Sequence, residues 1–565
     1  MQLDDLIASG EAPEWLTAAA FSTLTKGYLL DGETPKDMYT RVAKGVASKL
    51  NKPEMEVKFF DYMWRNFLCP ATPVLSNVGS DRGLPISCFG LTVPDSVDGI
   101  YKSVHEMAML SKYGGGVGVN LTNVRGRGAL IKGGTNGSSE GIVPWAKVID
   151  SATIATSQGN VRRGATSLNL SVEHLDIDEF LRIRRPLGDV NRQCLNIHQC
   201  VQVTDAFMQK VENGDVKARE TYLEMLRTRL ETGEPYIQFI DNVNKANPAM
   251  YNAHNLKVDM TNICSEIMLF SDEQHSFVCC LSSLNLARYD EWKNTDLVQT
   301  SIWFLDGVMQ EFIDKANGIP GFDRAVRFAE KSRALGLGVL GWHTLLQSKM
   351  IPFDSYDAMA LNAEIFRGMR SEAVSASQAL AKEYGEPEWC KGFGVRNTHL
   401  IAVAPTASNS VISGGISAGI EPIIANAYAH KTAKGVFTVK NTSLEALLES
   451  KDINTPAIWK SIVANNGSVQ HLDILSDKEK EVFLTAYEIN QMALIRQAGQ
   501  RQKWIDQGQS LNLFFSADAS PKWFHKVHME AWKQGIKALY YCRSTSVLKG
   551  DTASREADDC KACEA

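Results

Sequence analysis

No apolar run in the 565-residue chain approaches the ~18–20 residues that a bilayer-spanning helix needs. The N-terminal Met1-Gln-Leu-Asp-Asp-Leu-Ile7 is acidic where a secretory leader is basic, so the expected location is cytoplasmic, away from any membrane. One-sided charge is lacking as well. With 59 basic and 65 acidic residues the net charge is −6, which leaves no basic excess for gripping a nucleic-acid polymer. Any nucleotide handled here is expected to be a small one. There is no internal repeat and no low-complexity tract. Zinc-type cysteine pairs are missing too: only Cys560-Lys-Ala-Cys563 has the short spacing, no second pair accompanies it, and no metal site is expected.

What remains is ordinary globular composition, 44% hydrophobic and 22% charged, in a chain long enough for several domains of ~100–200 residues or one large one. Residues 1–66 read as a small helical domain. Thr34 is placed to cap a helix, with Pro35 at its first position and Asp37 in its first turn. Tyr39, Val42, Ala43, Val46, Ala47 and Leu50 then make one apolar stripe at helical spacing. From 67 to 545, glycine-punctuated apolar runs alternate with long amphipathic segments such as 205–232 and 356–384, which predicts α/β architecture. Residues 546–565 are small and polar and read as a flexible tail. The 11 cysteines, odd in number and scattered, point to reactive thiols rather than a disulfide scaffold in a cytoplasmic chain.

Two motifs bear on chemistry. Gly336-Leu-Gly338-Val-Leu-Gly341 fits the G-x-G-x-x-G pattern of dinucleotide-binding folds, but that fingerprint needs a strand immediately before it. Arg324 to Ala334 is charged and helical in pattern, so these glycines are expected to serve close packing. The sharper signal is Asn262-Ile-Cys264-Ser-Glu266. In an extended segment its amide, thiol and carboxylate share one side. No histidine lies beside Cys264 to make a nucleophilic thiolate. The S–H bond is weak, however, so a cysteine can become a thiyl radical that takes hydrogen from carbon while a carboxylate accepts a hydroxyl proton. On these five residues alone, a buried structural cysteine is an equal alternative.

Asn-x-Cys-x-Glu followed by Cys279-Cys-Leu-Ser-Ser-Leu-Asn-Leu286 resembles the catalytic, large subunit of the ribonucleotide reductases. Further signatures of that family follow in its order: Gly27-Tyr-Leu-Leu-Asp-Gly-Glu-Thr-Pro35, Ser87-Cys88-Phe, Asp95-Ser96, Ser111-Lys-Tyr-Gly-Gly-Gly-Val-Gly118 and Gly133-Gly-Thr-Asn-Gly137. Later come Gln158-Gly-Asn-Val-Arg-Arg-Gly164, Pro405-Thr-Ala-Ser-Asn-Ser410, Gly419-Ile-Glu-Pro422 and Tyr540-Tyr541. The similarity spans roughly residues 20 to 545.

The resemblance implies a ten-stranded α/β barrel, residues 67–545, with a central finger loop. In that fold Cys264 would carry the thiyl radical and take the 3′-hydrogen of a ribonucleotide. Glu266 would deprotonate the 3′-hydroxyl, and Asn262 would hold the sugar. Cys88 and Cys279 match the thiol pair that becomes a disulfide at each turnover, with Cys280 adjacent to the second position. The tail pair Cys560 and Cys563 would re-reduce that disulfide by exchange and be recharged by a thioredoxin- or glutaredoxin-like protein. Thr72, Ser87, Gly116, Thr406, Ala407, Ser408 and Asn409 match substrate-binding positions, and Arg162 the base-contacting arginine. Without the family, Pro405 to Ser410 reads as a capped loop. Asp95, Ser96, Val97, Lys112, Arg125 and Lys132 match a specificity site for a deoxynucleoside triphosphate or ATP, where cationic side chains would pair with phosphates. Cys194, Cys200 and Cys390 match nothing catalytic and are expected to be buried.

Tyr540-Tyr541 selects the class. Adjacent tyrosines suit stepwise transfer of an electron and a proton, and the following Cys542-Arg543-Ser544 resembles the subunit-dependent class I enzymes. The implied partner is a metal-containing radical-generating small subunit, with no cofactor held tightly by this chain and a homodimer possible on the family pattern. An adenosylcobalamin-dependent enzyme is the alternative. The residues before Gly27 are too few to fold as a nucleotide-binding module, so a compact form without the regulatory ATP-cone is expected.

Overall fold

The computed structural model describes residues 2–158, 162–186, 188–432 and 435–544. Four helices, Leu3–Ala8, Ala18–Gly27, Pro35–Lys49 and Met55–Trp64, precede the first strand, Leu68–Pro70. The Thr34 side chain accepts from Asp37 N, and the Asp37 carboxylate accepts from Thr34 N, closing a capping box with Pro35 at the first position. Met38, Tyr39, Val42, Ala43, Val46 and Ala47 are buried. That stripe meets the helix Leu297–Ala316 at Gly307, where a β-carbon would stand 2.7 Å from Val46 Cγ1. The N-terminal helices therefore share one continuous apolar core with the rest of the chain.

Five strands, Cys88–Thr92, Gly116–Asn120, Ala165–Ser171, His198–Val203 and Tyr236–Phe239, run parallel in that order. Phe277–Asn285 pairs antiparallel with Cys88–Thr92 and opens a second parallel group with Leu335–Leu340. Residues 401–403 and 509 extend this second group through single bridges, Leu337↔Ile401 and Val403↔Gln509. Leu68–Pro70 and Ala538–Leu539 close the edges against Phe277–Asn285 and Tyr236–Phe239. The continuous sheet counts nine strands among the described residues; the segment 401–403 takes a tenth place by bridges alone. Two parallel halves, antiparallel to each other, thus curl around a common interior.

The helices between strands cover the outside. The segment 205–232 is two helices, Asp205–Asn213 and Val216–Thr232, because Gly214 turns left-handed at φ 91°. The segment 356–384 is one helix of 29 residues. Gly336 and Gly338 lie inside the strand Leu335–Leu340, which follows the helix Asp323–Ser332. A β-carbon on Gly338 would stand 2.5 Å from Ala402 O, so these glycines serve strand packing. Composition gave no sign of a satellite core between 427 and 483, where Leu444, Leu448, Trp459, Ile462 and Phe483 pack together. No helix among the described residues is long and apolar enough to cross a membrane.

The interior of the barrel is filled by the chain itself. Segment 258–270 has almost no regular structure, so its backbone groups need partners that a ladder does not supply. Inward-facing amides provide them. Asn120 Nδ2 and Gln202 Nε2 donate to Asp259 O at 3.1 and 2.6 Å. Gln238 Nε2 donates to Met260 O at 3.0 Å. Asn169 both donates to Thr261 O and accepts from Thr261 N, each at 3.2 Å. Gln507 Oε1 accepts from Met268 N at 3.1 Å.

Thr34→Ala should lower stability by about 1 kcal/mol through loss of the cap. Gly307→Ala should cost about 1–3 kcal/mol by overpacking the helix contact. A thermal melt that ranks Gly307→Ala below Thr34→Ala and both below the parent checks this; an unchanged Gly307→Ala midpoint would mean that the helix contact is soft.

Candidate active site

The tip of the interior segment is a turn rather than an extended strand. Ser265 sits at φ 64° and its N–H bonds Asn262 O at 3.3 Å. The expectation that alternation would align Asn262, Cys264 and Glu266 is corrected here: a segment with no sheet partner satisfies its backbone locally and folds back. The side-chain oxygen of Asn262, Oδ1, accepts from Glu266 N at 3.1 Å and Ile267 N at 3.0 Å, while its Nδ2 donates to Glu266 Oε2 at 3.0 Å. Amide and carboxylate therefore converge through the turn. Ser510 Oγ lies 2.6 Å from Cys264 O and 3.2 Å from Glu266 Oε2, and Gly508 N donates to Glu266 O at 2.7 Å. Sequence reasoning missed Ser510, Gln507 and the inward amides, because their significance depends on pairing with a segment 22 to 246 residues away.

Glycines make room for this turn. A β-carbon on Gly118 would stand 2.3 Å from Thr261 O, and one on Gly116 3.0 Å from Ile263 Cγ2.

One side of the turn faces sulfur. Cys88 and Cys279 are opposite one another across antiparallel strands, a relation that sets α-carbons within disulfide range. Both are thiols here. Asn262 Nδ2 donates to Cys88 Sγ at 3.4 Å, and Cys88 Sγ lies 4.0 Å from Glu266 Oε1. Gln507 Nε2 donates to Cys279 Sγ at 3.3 Å and to Leu335 O at 2.9 Å. Burial pushes the Cys279 thiol well above its ordinary range, and the Gln507 bond opposes that shift. Cys280 alternates to the other face of its strand, where Arg333 and Asp306 are its charged neighbours.

The other side faces aromatic rings. Cys264, fully buried, clusters with Ile263, Ala165, Cys200, Tyr236, Tyr540 and Tyr541. Tyr540 and Tyr541 have ring centroids 4.4 Å apart, and Tyr236 is 4.7 Å from the first and 5.0 Å from the second. The Arg543 guanidinium covers Tyr541 at 4.6 Å. Beside Arg543, burial raises the Glu421 carboxyl to about 7. Cys194 and Cys390 are buried away from this cluster.

Thr406 stands at φ 53° before the short helix Ala407–Ile412, and its Oγ1 accepts from Gly419 N at 2.8 Å. Ala407 and Ser408 are half-buried. Asn409 donates to Pro70 O at 3.1 Å, leaving its Oδ1 buried without a hydrogen-bond partner. Thr72 Oγ1 bonds the Tyr28 hydroxyl at 2.8 Å, and Ser87 O accepts from Gly116 N at 2.7 Å. Of these residues, Ser87 and Gly116 adjoin Cys88, the first along the chain and the second across paired parallel strands.

A separate group lies on the surface. Arg125 Nε pairs with Asp95 Oδ2 at 2.9 Å, and Ser96 caps the helix Val97–Lys112 through Gly99 N. Val97 is exposed. Lys132 is exposed on the loop that Arg125 reaches through Leu130 O. Lys112 ends the 16-residue helix, about 24 Å of helical rise from Ser96, so a single chain does not bring it to Asp95. Arg162 pairs with Gln158 in a two-residue ladder; its side chain, residues 159–161, and Cys560 and Cys563 lie outside the described residues. No cluster of potential metal ligands occurs among the described residues.

The family model for "Ribonucleotide reductase, barrel domain" matches residues 86–216, 212–393 and 388–542, and that for "Ribonucleotide reductase, all-alpha domain" matches 14–83. A relative from Frog virus 3 is 41% identical over 571 aligned residues, covering 97% of this chain and 98% of its own. The ribonucleoside-diphosphate reductase large subunit of Invertebrate iridescent virus 3 is 34% identical, with 97% and 98% covered. The solved class Id ribonucleotide reductase alpha subunit of Actinobacillus ureae has a TM-score of 0.88 and 41% identity, covering 95% of this chain and 98% of that one.

Gly118→Ala should displace the turn, since the clash is with backbone. Native-state alkylation of Cys264, negligible in the parent, should become readily measurable; equal protection in both would show that the glycine is not what seats the turn.

Proposed function

The chain belongs to the ribonucleotide reductase large-subunit family, and on that premise we propose that it reduces ribonucleoside diphosphates to 2′-deoxyribonucleotides by a thiyl radical on Cys264. The observation that carries the reading is the two-sided turn: Cys264 against Tyr540 and Tyr541, and Asn262 with Glu266 against Cys88 and Cys279. A radical entering through the tyrosines reaches the thiol on one side, while acid–base and reducing groups meet the sugar on the other.

The thiyl sulfur takes the hydrogen atom from C3′, and Glu266 takes the proton of the 3′-hydroxyl. The 2′-hydroxyl leaves as water with a proton from the Cys88/Cys279 pair. That pair supplies two electrons and delivers its other hydrogen to C2′ as it becomes a disulfide, Glu266 returns its proton to the 3′-oxygen, and Cys264 returns its hydrogen atom to C3′. Thr72, Ser87, Gly116, Thr406, Ala407, Ser408 and Asn409 hold the phosphates and ribose at the barrel mouth, with Arg162 toward the base. Arg125, Lys132, Asp95, Ser96 and Val97 form a specificity site for a deoxynucleoside triphosphate or ATP. Lys112 joins such a site only from elsewhere in an assembly such as a homodimer.

Segment 546–565 acts as the redox tail, in which Cys560 and Cys563 return the Cys88/Cys279 disulfide to thiols and are recharged by a thioredoxin- or glutaredoxin-like protein. Radical supply comes from a metal-containing small subunit. The adjoining tyrosines, with ring centroids 4.4 Å apart, and the class Id alpha-subunit neighbour support that class over an adenosylcobalamin-dependent enzyme.

Cys264→Ser should bring deoxynucleotide formation from CDP, with dithiothreitol and a cognate small subunit, below detection, since a hydroxyl O–H is too strong to shuttle hydrogen. Multiple turnovers in that variant would remove the thiyl assignment. Tyr540→Phe and Tyr541→Phe should each block turnover while the fold survives, a lost hydroxyl costing only ~1–2 kcal/mol. Activity in either variant on adding adenosylcobalamin alone would favour the other class.

A further inference from the structure

Cys88 and Cys279 are chemically unlike, although they face each other. Cys88 Sγ lies 4.0 Å from a Glu266 carboxylate oxygen and 3.7 Å from Ser87 Oγ, and the Asn262 Nδ2 that donates to it is shared with that same carboxylate at 3.0 Å. Negative charge on Cys88 would sit beside negative charge on Glu266. Cys279 receives the Gln507 N–H at 3.3 Å instead. That amide is fixed at three further points: its nitrogen donates to Leu335 O, its oxygen accepts from Met268 N, and its own backbone N–H bonds Ile401 O at 3.1 Å. The donor is fully buried, so it is preorganised and need not be taken from water when charge appears on sulfur.

We propose that Gln507 is a positioning residue that makes Cys279 the leaving sulfur when the Cys88–Cys279 disulfide is reduced, so that an incoming thiolate attacks at Cys88. The inference rests on the proposed function, which supplies the disulfide. In the first step the thiolate of a dithiol reductant bonds to Cys88 Sγ. The Cys88–Cys279 bond breaks, and its electron pair leaves on Cys279 as a thiolate that accepts from Gln507 Nε2. The second thiolate of the reductant then attacks the reductant sulfur of the mixed disulfide and releases Cys88 as a thiolate. Both cysteines take up protons, so two electrons and two protons have passed from the dithiol. Exchange is faster when the leaving sulfur better bears negative charge, and the two environments differ in that respect. Burial, the neighbouring thiols and Glu266 all hold Cys279 acidity down and the Gln507 bond opposes them, while the direct Glu266 contact falls on Cys88.

The test uses the full chain, oxidised with diamide to form the Cys88–Cys279 disulfide and then treated briefly with 2-mercaptoethanol, a monothiol. Acid quenching, iodoacetamide and peptide mass mapping locate the adduct. The mercaptoethanol adduct should lie on Cys88 and the carbamidomethyl group on Cys279 by at least tenfold. In Gln507→Glu, where a carboxylate replaces the donor at nearly equal volume, the adduct should move to Cys279; in Gln507→Leu the preference should fall toward parity. Parity or a Cys279 adduct in the parent overturns the inference, and the parent measurement does not depend on how the variants fold. An unchanged Cys88 preference in both folded variants also overturns it. If a single turnover leaves Cys88, Cys279, Cys560 and Cys563 all as thiols, the functional reading fails instead, a result distinct from either.

Discussion

The structure depends on burying an irregular length of backbone inside a barrel. Segment 258–270 runs where a closed sheet would otherwise hold apolar side chains, and each of its amides and carbonyls taken out of water costs about 1–3 kcal/mol if left unpaired. The inward amides of Asn120, Asn169, Gln202, Gln238 and Gln507 meet that requirement. Glycines at 116, 118 and 508 remove the side chains that would collide with it. Everything chemical follows from this seating. Because the turn is held from several strands, a thiol, an amide and a carboxylate occupy fixed places in a site that excludes water.

Two fields meet at that turn. On the aromatic side, Cys264 abuts rings whose centroids are 4.4–5.0 Å apart, a path of oxidisable side chains through a buried cluster. On the sulfur side, the Glu266 carboxylate, two thiols and two amides are arranged so that each proton donor faces an acceptor. A radical there would be sheltered from solvent and from stray reductants, which is a reason for placing such chemistry inside a barrel at all.

Some of this was legible in the sequence. Thr34, Pro35 and Asp37 wrote out their capping box locally, and the stripe from Tyr39 to Ala47 declared its buried face. Asn262, Cys264 and Glu266 were conspicuous as a trio, and the rejection of a dinucleotide site at Gly336 to Gly341 rested on the helical pattern before it. The turn at Ser265 was not legible, because alternation presumes a sheet partner that this segment lacks. Gln507 and Ser510 look like ordinary polar residues until the fold sets them against Cys279 and Glu266. The distance of Lys112 from Asp95 appears only once Val97 to Lys112 is known to be one unbroken helix, and the satellite core at 427–483 leaves no compositional mark. For Gln507 and Ser510 the reason is long-range pairing: a residue's local pattern does not encode a partner more than two hundred positions away.

Hydrogen-atom transfer at Cys264 can be examined through the substrate. With a cognate small subunit, a mixture of CDP and 3′-deuterated CDP should show discrimination against the deuterated molecule in kcat/KM, with most of the deuterium retained at C3′ of the product. That pattern requires C3′–H cleavage and return of the same atom. No discrimination, together with complete loss of deuterium to solvent, would contradict a thiyl radical on the buried turn.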